Sequence, residues 1–164
     1  MSTHSPCVVE NSEMLARFIF SPLHFNKKGE FKPNAFSHVH QKGCSIQRDS
    51  VAEENEISEF IKRLLLSQDN FVWKGLLLAE CHTVRSILTN NSTKRAVCVY
   101  DTAEKDNPAH AEICQTNYIL EEDDEAELRH NLFFAFGNRE ILSPLQYRNG
   151  MIWNNLPEQI KARV

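Results

Sequence analysis

The sequence is poor in glycine, with 5 in 164 residues, and its 5 cysteines include no C-x-x-C pair. So few glycines leave little material for a Gly-rich phosphate-binding loop. An odd number of cysteines without tight spacing does not favour a disulfide framework, and we expect reduced thiols in a cytoplasmic protein. No apolar run approaches the roughly 18 residues that a membrane helix needs. The longest, residues 73–79, is interrupted by Lys74, so we expect no contact with a membrane.

Charge excludes another class of protein. The formal net charge is −4, with 18 basic and 22 acidic residues, so the chain lacks the basic balance of a typical nucleic-acid-binding domain. Apolar residues make up 41% and charged residues 24% of the sequence, as in ordinary globular proteins. A chain of 164 residues is long enough to bury one core without disulfides or a metal.

The hydrophobic pattern predicts a single mixed α+β domain, with a small sheet and about three to four helices. We divide the chain into a polar lead-in (1–12), a core domain (13–143) and a C-terminal segment (144–164) that packs on the core or on a partner. The strands are expected at 15–20, around 44–47, at 71–79, 95–100 and 109–115. The helices are expected at 51–66, within 80–88, at 125–136 and after Pro157. Residues 21–35 are expected to form a long loop, and 90–92 a turn.

Two acidic patterns mark helix starts. Ser50 and Glu53 form a Ser-x-x-Glu capping box before the helix 51–66. The acidic run 121–127 precedes a helical apolar pattern, and Gly137 suits the position after that helix. Acidic residues at a helix N-terminus are stabilised by the helix dipole. We interpret the run as a helix start, and the alternative is an acidic binding patch.

Seven histidines raise the question of a metal site. His38 and His40 on a strand would share one face, with Cys44 close by and His82 as a further candidate. Zinc takes about four nitrogen or sulfur ligands, and its structural sites start from tight pairs that this sequence lacks. Scattered surface histidines are therefore the preferred interpretation, and we expect no bound metal.

His110 and Glu112 are two residues apart on a predicted strand, so they point to the same face. Such a pair can serve as general acid and base or hold a ribose. The alternative is a strand end with exposed polar side chains. Arg17 and His24 show the arginine-x6-histidine spacing of some helical ribonucleases, but Pro22 lies between them and the segment is not helical. We give that spacing no weight.

The order of elements resembles the ADP-ribosyltransferase-like layout that RNA 2′-phosphotransferases share. In that layout an early strand supplies a basic residue, a second strand leads into a helix, and a late strand supplies a carboxylate. The matching residues here are Arg17, Ser45 within Gly-Cys-Ser-Ile, and Glu112, which stands in His-Ala-Glu where the family has Glu-x-Glu. The resemblance implies that Arg17 contacts phosphates of NAD or a nucleotide. It also implies that Ser45 lies near the nicotinamide ribose and that Glu112 bonds a ribose hydroxyl.

Two functions follow from these patterns. The first is a non-catalytic partner subunit or interaction module of a larger assembly. The aromatic C-terminal segment favours it, since Tyr147, Met151 and Trp153 are residue types that anchor interfaces. The alternative is a transferase or hydrolase that uses NAD or a nucleotide, with Ser45, His110 and Glu112 as catalytic residues and Arg17 on the cofactor. The sequence narrowly favours the first function and leaves open whether the protein is an enzyme.

Overall fold

The computed structural model describes residues 3–5, 7–89, 93–118, 122–137 and 140–163. Within these ranges the chain forms an α+β domain, which confirms the predicted fold class. Its strands are β1 (Met14–Ser21), β2 (Cys44–Arg48), β3 (Val72–Glu80), β4 (Val97–Asp101) and β5 (His110–Gln115). Its α-helices are α1 (Glu54–Ser67), α2 (Cys81–Arg85), α3 (Glu122–Ala135), α4 (Met151–Asn154) and α5 (Glu158–Lys161). Two 3-10 helices span Pro33–His40 and Tyr147–Gly150.

The five strands form one antiparallel sheet in the order β3-β1-β2-β5-β4. β1 pairs with β3 at eight positions, but with β2 at only two, Leu15 with Arg48 and Ala16 with Gln47. β1 and β2 are therefore paired only near the start of β1, and the sheet opens between these two strands toward the end of β1.

Alternate residues of the strands enter two separate cores. On one face, side chains such as Leu15, Ile46 and Ile113 pack with α2, α3 and the first 3-10 helix. On the other face, Phe18 and Trp73 of β1 and β3 pack with α1, α4 and α5. The side chains on this second face change from apolar to polar along the sheet. From β2 to β4 it carries polar and thiol side chains, most of them partly exposed: Ser45, Gln47, Cys98, Tyr100, His110, Glu112 and Cys114.

The predicted start of α1 was wrong by three residues. The capping box is formed by Glu53 and Glu56, and the hydroxyl of Ser50 instead accepts the backbone N–H of Met14 at 2.9 Å. The chain first turns at Val51 and Ala52, whose N–H groups both donate to the carbonyl of Arg48. Local spacing assigns Ser50 to the helix cap, but in the folded protein its hydroxyl bonds to β1 instead.

The acidic run does mark a helix start. The first turn of α3 contains Glu122, Asp123, Asp124 and Glu125, where the helix dipole favours carboxylates. Gly137 follows the helix with φ +83°, as expected for a glycine that ends a helix. The short helix at 80–88 is confirmed as α2, with Val84 fully buried. The turn predicted at 90–92 lies outside the described residues.

The C-terminal segment packs on the core of its own chain. Tyr147 is buried, and its hydroxyl donates to the carboxylate of Asp49. Trp153 is partly buried against the same core, and Met151 keeps 42% of its surface exposed. Among the described residues, no helix is long and apolar enough to cross a membrane.

Candidate functional site

Arg17 occupies the opening between β1 and β2. Its guanidinium donates to the carbonyl of Ser45 on β2 at 2.7 Å and to the carbonyl of Ala35 on the first 3-10 helix at 2.7 and 3.2 Å. A charged side chain thus bridges two strands where backbone pairing has stopped. These bonds use three of the five N–H groups that an arginine carries.

His24 reaches the same point through a turn after β1. The N–H of His24 donates to the carbonyl of Phe20, and the N–H of Phe20 donates to Nδ1 of His24 at 3.1 Å. Because a backbone N–H can only donate, Nδ1 must be unprotonated, and the neutral ring carries its proton on Nε2. Burial, together with the charges of Arg17 and His38, lowers the pKa of His24 to about 3, so the ring is neutral at physiological pH.

Two donors therefore face each other across the opening. Nε2 of His24 lies 3.5 Å from a terminal nitrogen of Arg17, and both atoms carry hydrogen. Neither can accept from the other, so an acceptor from outside would satisfy both. Among the described residues that line the space around them, none is acidic. The arrangement suits an oxygen of a phosphate or carboxylate.

These donors belong to a pocket of about 250 Å³ between β1, β2 and α1. We call it the inner pocket. Most of its wall is apolar, and four of the wall residues are phenylalanines: Phe18, Phe20, Phe60 and Phe71, with Leu23, Ile46 and Leu64. The remaining polar side chains are those of His38, Ser45 and Gln47. A pocket with apolar walls and a few converging polar groups is the usual form of a small-molecule site.

Ser45, His110 and Glu112 lie beside this pocket on the polar part of the sheet. In the register of β2 and β5, Ser45 is opposite Glu112 and Gln47 is opposite His110. Directly opposed side chains in an antiparallel pair have Cβ atoms about 5 Å apart. The structure thus brings the four residues singled out by the sequence into one region. Arg17 and Ser45 line the inner pocket, whereas His110 and Glu112 lie one strand away.

The structure does not bring the candidate metal ligands together. His38 and His40 were expected on a strand, but they lie in the 3-10 helix, where residues two apart point in different directions. His38 lines the inner pocket, Nδ1 of His40 contacts the side-chain amide oxygen of Gln115, and Cys44 is buried in the other core. Exposed His82 is on α2. Among the described residues, no three histidine, cysteine or acidic side chains are grouped to hold a metal ion.

Sequence reasoning missed His24. The spacing of Arg17 and His24 carries no weight by itself, because the intervening segment is not helical. The segment is indeed strand and turn, yet the turn returns His24 to Arg17 within 3.5 Å. A histidine directly after a strand, in a loop with proline, was the signal that could have identified it.

Comparison of the chain with protein-family models, with curated proteins and with solved structures found no match. The resemblance to the ADP-ribosyltransferase-like layout therefore stays a prediction.

Proposed function

We propose that this protein is an enzyme, a transferase or hydrolase, whose nucleotide substrate binds in the inner pocket. The observation that carries the proposal is the pair of donors, Arg17 and His24, that face each other at 3.5 Å beside the pocket. A phosphate oxygen beside the pair, about 2.8 Å from each nitrogen, would accept from both. The fixed positive charge of arginine favours an anion over a neutral carbonyl at this place.

The walls support a ligand with a flat ring. Phe60 and Phe71 present aromatic surface to the inner pocket, and the side-chain amide of Gln47 can both donate to and accept from the edge of a base. The volume, about 250 Å³, lies just below the roughly 300–1,000 Å³ that is usual for ligand sites. It suits one nucleotide rather than a whole dinucleotide. NAD would place one of its halves in the inner pocket.

An interaction module remains a prediction, with less support. Tyr147 and Trp153 were proposed as interface anchors, but both contribute to the core of their own chain. Only Met151 of the three presents much surface.

The test is binding of AMP, ADP-ribose and NAD by calorimetry, with adenosine and inorganic phosphate for comparison. His24→Asn keeps an oxygen that can accept from Phe20 N–H but removes the Nε2 donor. We expect AMP to bind the wild-type protein and its Kd to rise about tenfold or more in the variant, as for a lost charge-assisted hydrogen bond. His82→Asn, at an exposed histidine on α2, is the matched control. Absence of binding by all three nucleotides, or equal Kd values in both proteins, would overturn the proposal.

A further inference from the structure

A second cavity adjoins the inner pocket. It is an open groove of about 410 Å³ beside α1, and we call it the outer groove. Phe60 and Leu64 line both spaces, so a ligand that crosses these two side chains occupies both. The other residues of the outer groove are polar: Arg63, Ser67, Glu104, Asn107 and His110.

The contacts of His110 favour the opposite protonation pattern to that of His24. Its Nδ1 lies 3.2 Å from the carbonyl oxygen of Thr102 and 2.9 Å from the hydroxyl of the same residue. The carbonyl oxygen can only accept, whereas the hydroxyl can donate or accept, so a proton on Nδ1 is the arrangement in which both oxygens of Thr102 accept from the ring. Nε2 then presents a lone pair. A histidine oriented through one ring nitrogen, with the other free to accept a proton, is the usual arrangement of a general base.

We propose that His110 is the general base of the enzyme, and that the substrate is a nucleoside diphosphate conjugate that spans both cavities. This inference rests on the proposed function. One phosphate binds to Arg17 and His24 in the inner pocket. The second half of the substrate lies in the outer groove, where Arg63 supplies a further positive charge and Glu104 can accept from sugar hydroxyls. His24, a donor, anchors the substrate, and His110, an acceptor, receives a proton.

The reaction that this arrangement supports is hydrolysis of the pyrophosphate bond. Nε2 of His110 takes a proton from water, and the water oxygen forms a bond to phosphorus. The bond between that phosphorus and the bridging oxygen breaks, and its electron pair leaves with the second phosphate. The proton on Nε2 passes to the leaving phosphate or to solvent, which restores the neutral histidine. From ADP-ribose the products are AMP and ribose 5-phosphate.

The first test uses the protein without ligand. In nitrogen-15 NMR spectra of the histidine rings, we expect His110 to be protonated on Nδ1 and His24 on Nε2. Protonation of His110 on Nε2 instead would overturn the assignment of the base.

The second test uses ADP-ribose and AMP. Diethyl pyrocarbonate acylates an accessible imidazole nitrogen, and mass spectrometry measures the rate at each histidine. We expect saturating ADP-ribose to slow acylation of His110 at least fivefold, because the substrate covers Nε2. AMP, which ends in the inner pocket, should leave the rate within twofold. Exposed His82 serves as the internal control. Binding of ADP-ribose without protection of His110 would contradict the spanning mode.

The third test is turnover of ADP-ribose, with and without MgCl2. We expect His110→Ala to lower kcat about 100-fold or more, the usual contribution of a general base, and added imidazole to restore part of the rate. A merely structural role would not give such rescue. If the wild-type protein binds ADP-ribose but does not cleave it, this inference fails and the proposed function stands. If no nucleotide binds, both fail.

Discussion

Burial of His24 predicts how the stability of the protein depends on pH, whichever ligand the pocket binds. His24 is 3% exposed in the folded protein, where burial is the main cause of its low pKa and the charges of Arg17 and His38 add to it. In the unfolded chain the same side chain has its ordinary pKa of 6.5. Below that pH the unfolded state binds a proton that the folded state excludes. Stability from this group is therefore present above pH 6.5 and is lost as the pH falls toward about 3.

The size of the effect follows from the two pKa values. Each pH unit between them costs about 1.4 kcal/mol of unfolding free energy. Between pH 7 and pH 5, His24 should lower the free energy of unfolding by about 2 kcal/mol. The pKa of His24 in the folded protein is so low that, between pH 7 and pH 5, nearly all of the proton uptake occurs in the unfolded chain.

The assay is urea denaturation at pH 7 and pH 5, for the wild-type protein and for His24→Asn. Asparagine does not titrate, and its side-chain oxygen can still accept from Phe20 N–H. Carboxylates and the other histidines titrate alike in both proteins and cancel in the comparison. We expect the wild-type protein to lose about 2 kcal/mol more than the variant. Equal losses would show that His24 is not buried as a neutral ring. Arg17 and His24 would then not form the pair of facing donors described above.

Two further predictions, each with a control variant, concern the scaffold. Gly75→Ala should lower the free energy of unfolding by at least about 2 kcal/mol, because Gly75 has φ +126° and a Cβ there would lie 2.0 Å from the carbonyl oxygen of Leu142. Gly29→Ala, with φ +77° and no neighbour within 4 Å, is the control and should cost less in the same urea titration. Glu13→Ala should cost about 3 kcal/mol, because it removes the nearer carboxylate of the fully buried Arg48, at 2.8 Å, and leaves only the longer contact with Asp101 at 3.9 Å. Glu59→Ala, which removes an exposed pair with Lys62, should change thermal unfolding by less than about 1 kcal/mol, and a similar loss in both variants would contradict this view of the buried pair.

Local patterns determined much of the fold. The apolar period over 57–65 predicted α1, and apolar, aromatic and β-branched content predicted the strands at 15–20 and 95–100 that became β1 and β4. These signals are local because each element buries one face of its own residues. The boundary of α1 was missed because Ser50 bonds to β1, which a local pattern does not reveal.

The sequence predicted one candidate site without its geometry. Arg17, Ser45, His110 and Glu112 were each identified, partly through a resemblance in the order of elements. His24, which completes the inner pocket, is not part of this predicted set. No spacing rule shows that a turn after β1 returns this side chain to Arg17.

The sequence by itself determined that the chain forms a mixed α+β domain, and it singled out Arg17, Ser45 and His110, which line the two cavities. Only the tertiary structure decided that β1 and β2 part after two pairs and that Arg17 bridges the opening. It also decided the protonation of His24, because Phe20 N–H lies on backbone that the fold places beside the ring, and it placed Nδ1 of His110 beside the Thr102 carbonyl. Element type depends on neighbours along the chain, whereas a site depends on which hydrogen-bond donors and acceptors the fold brings together.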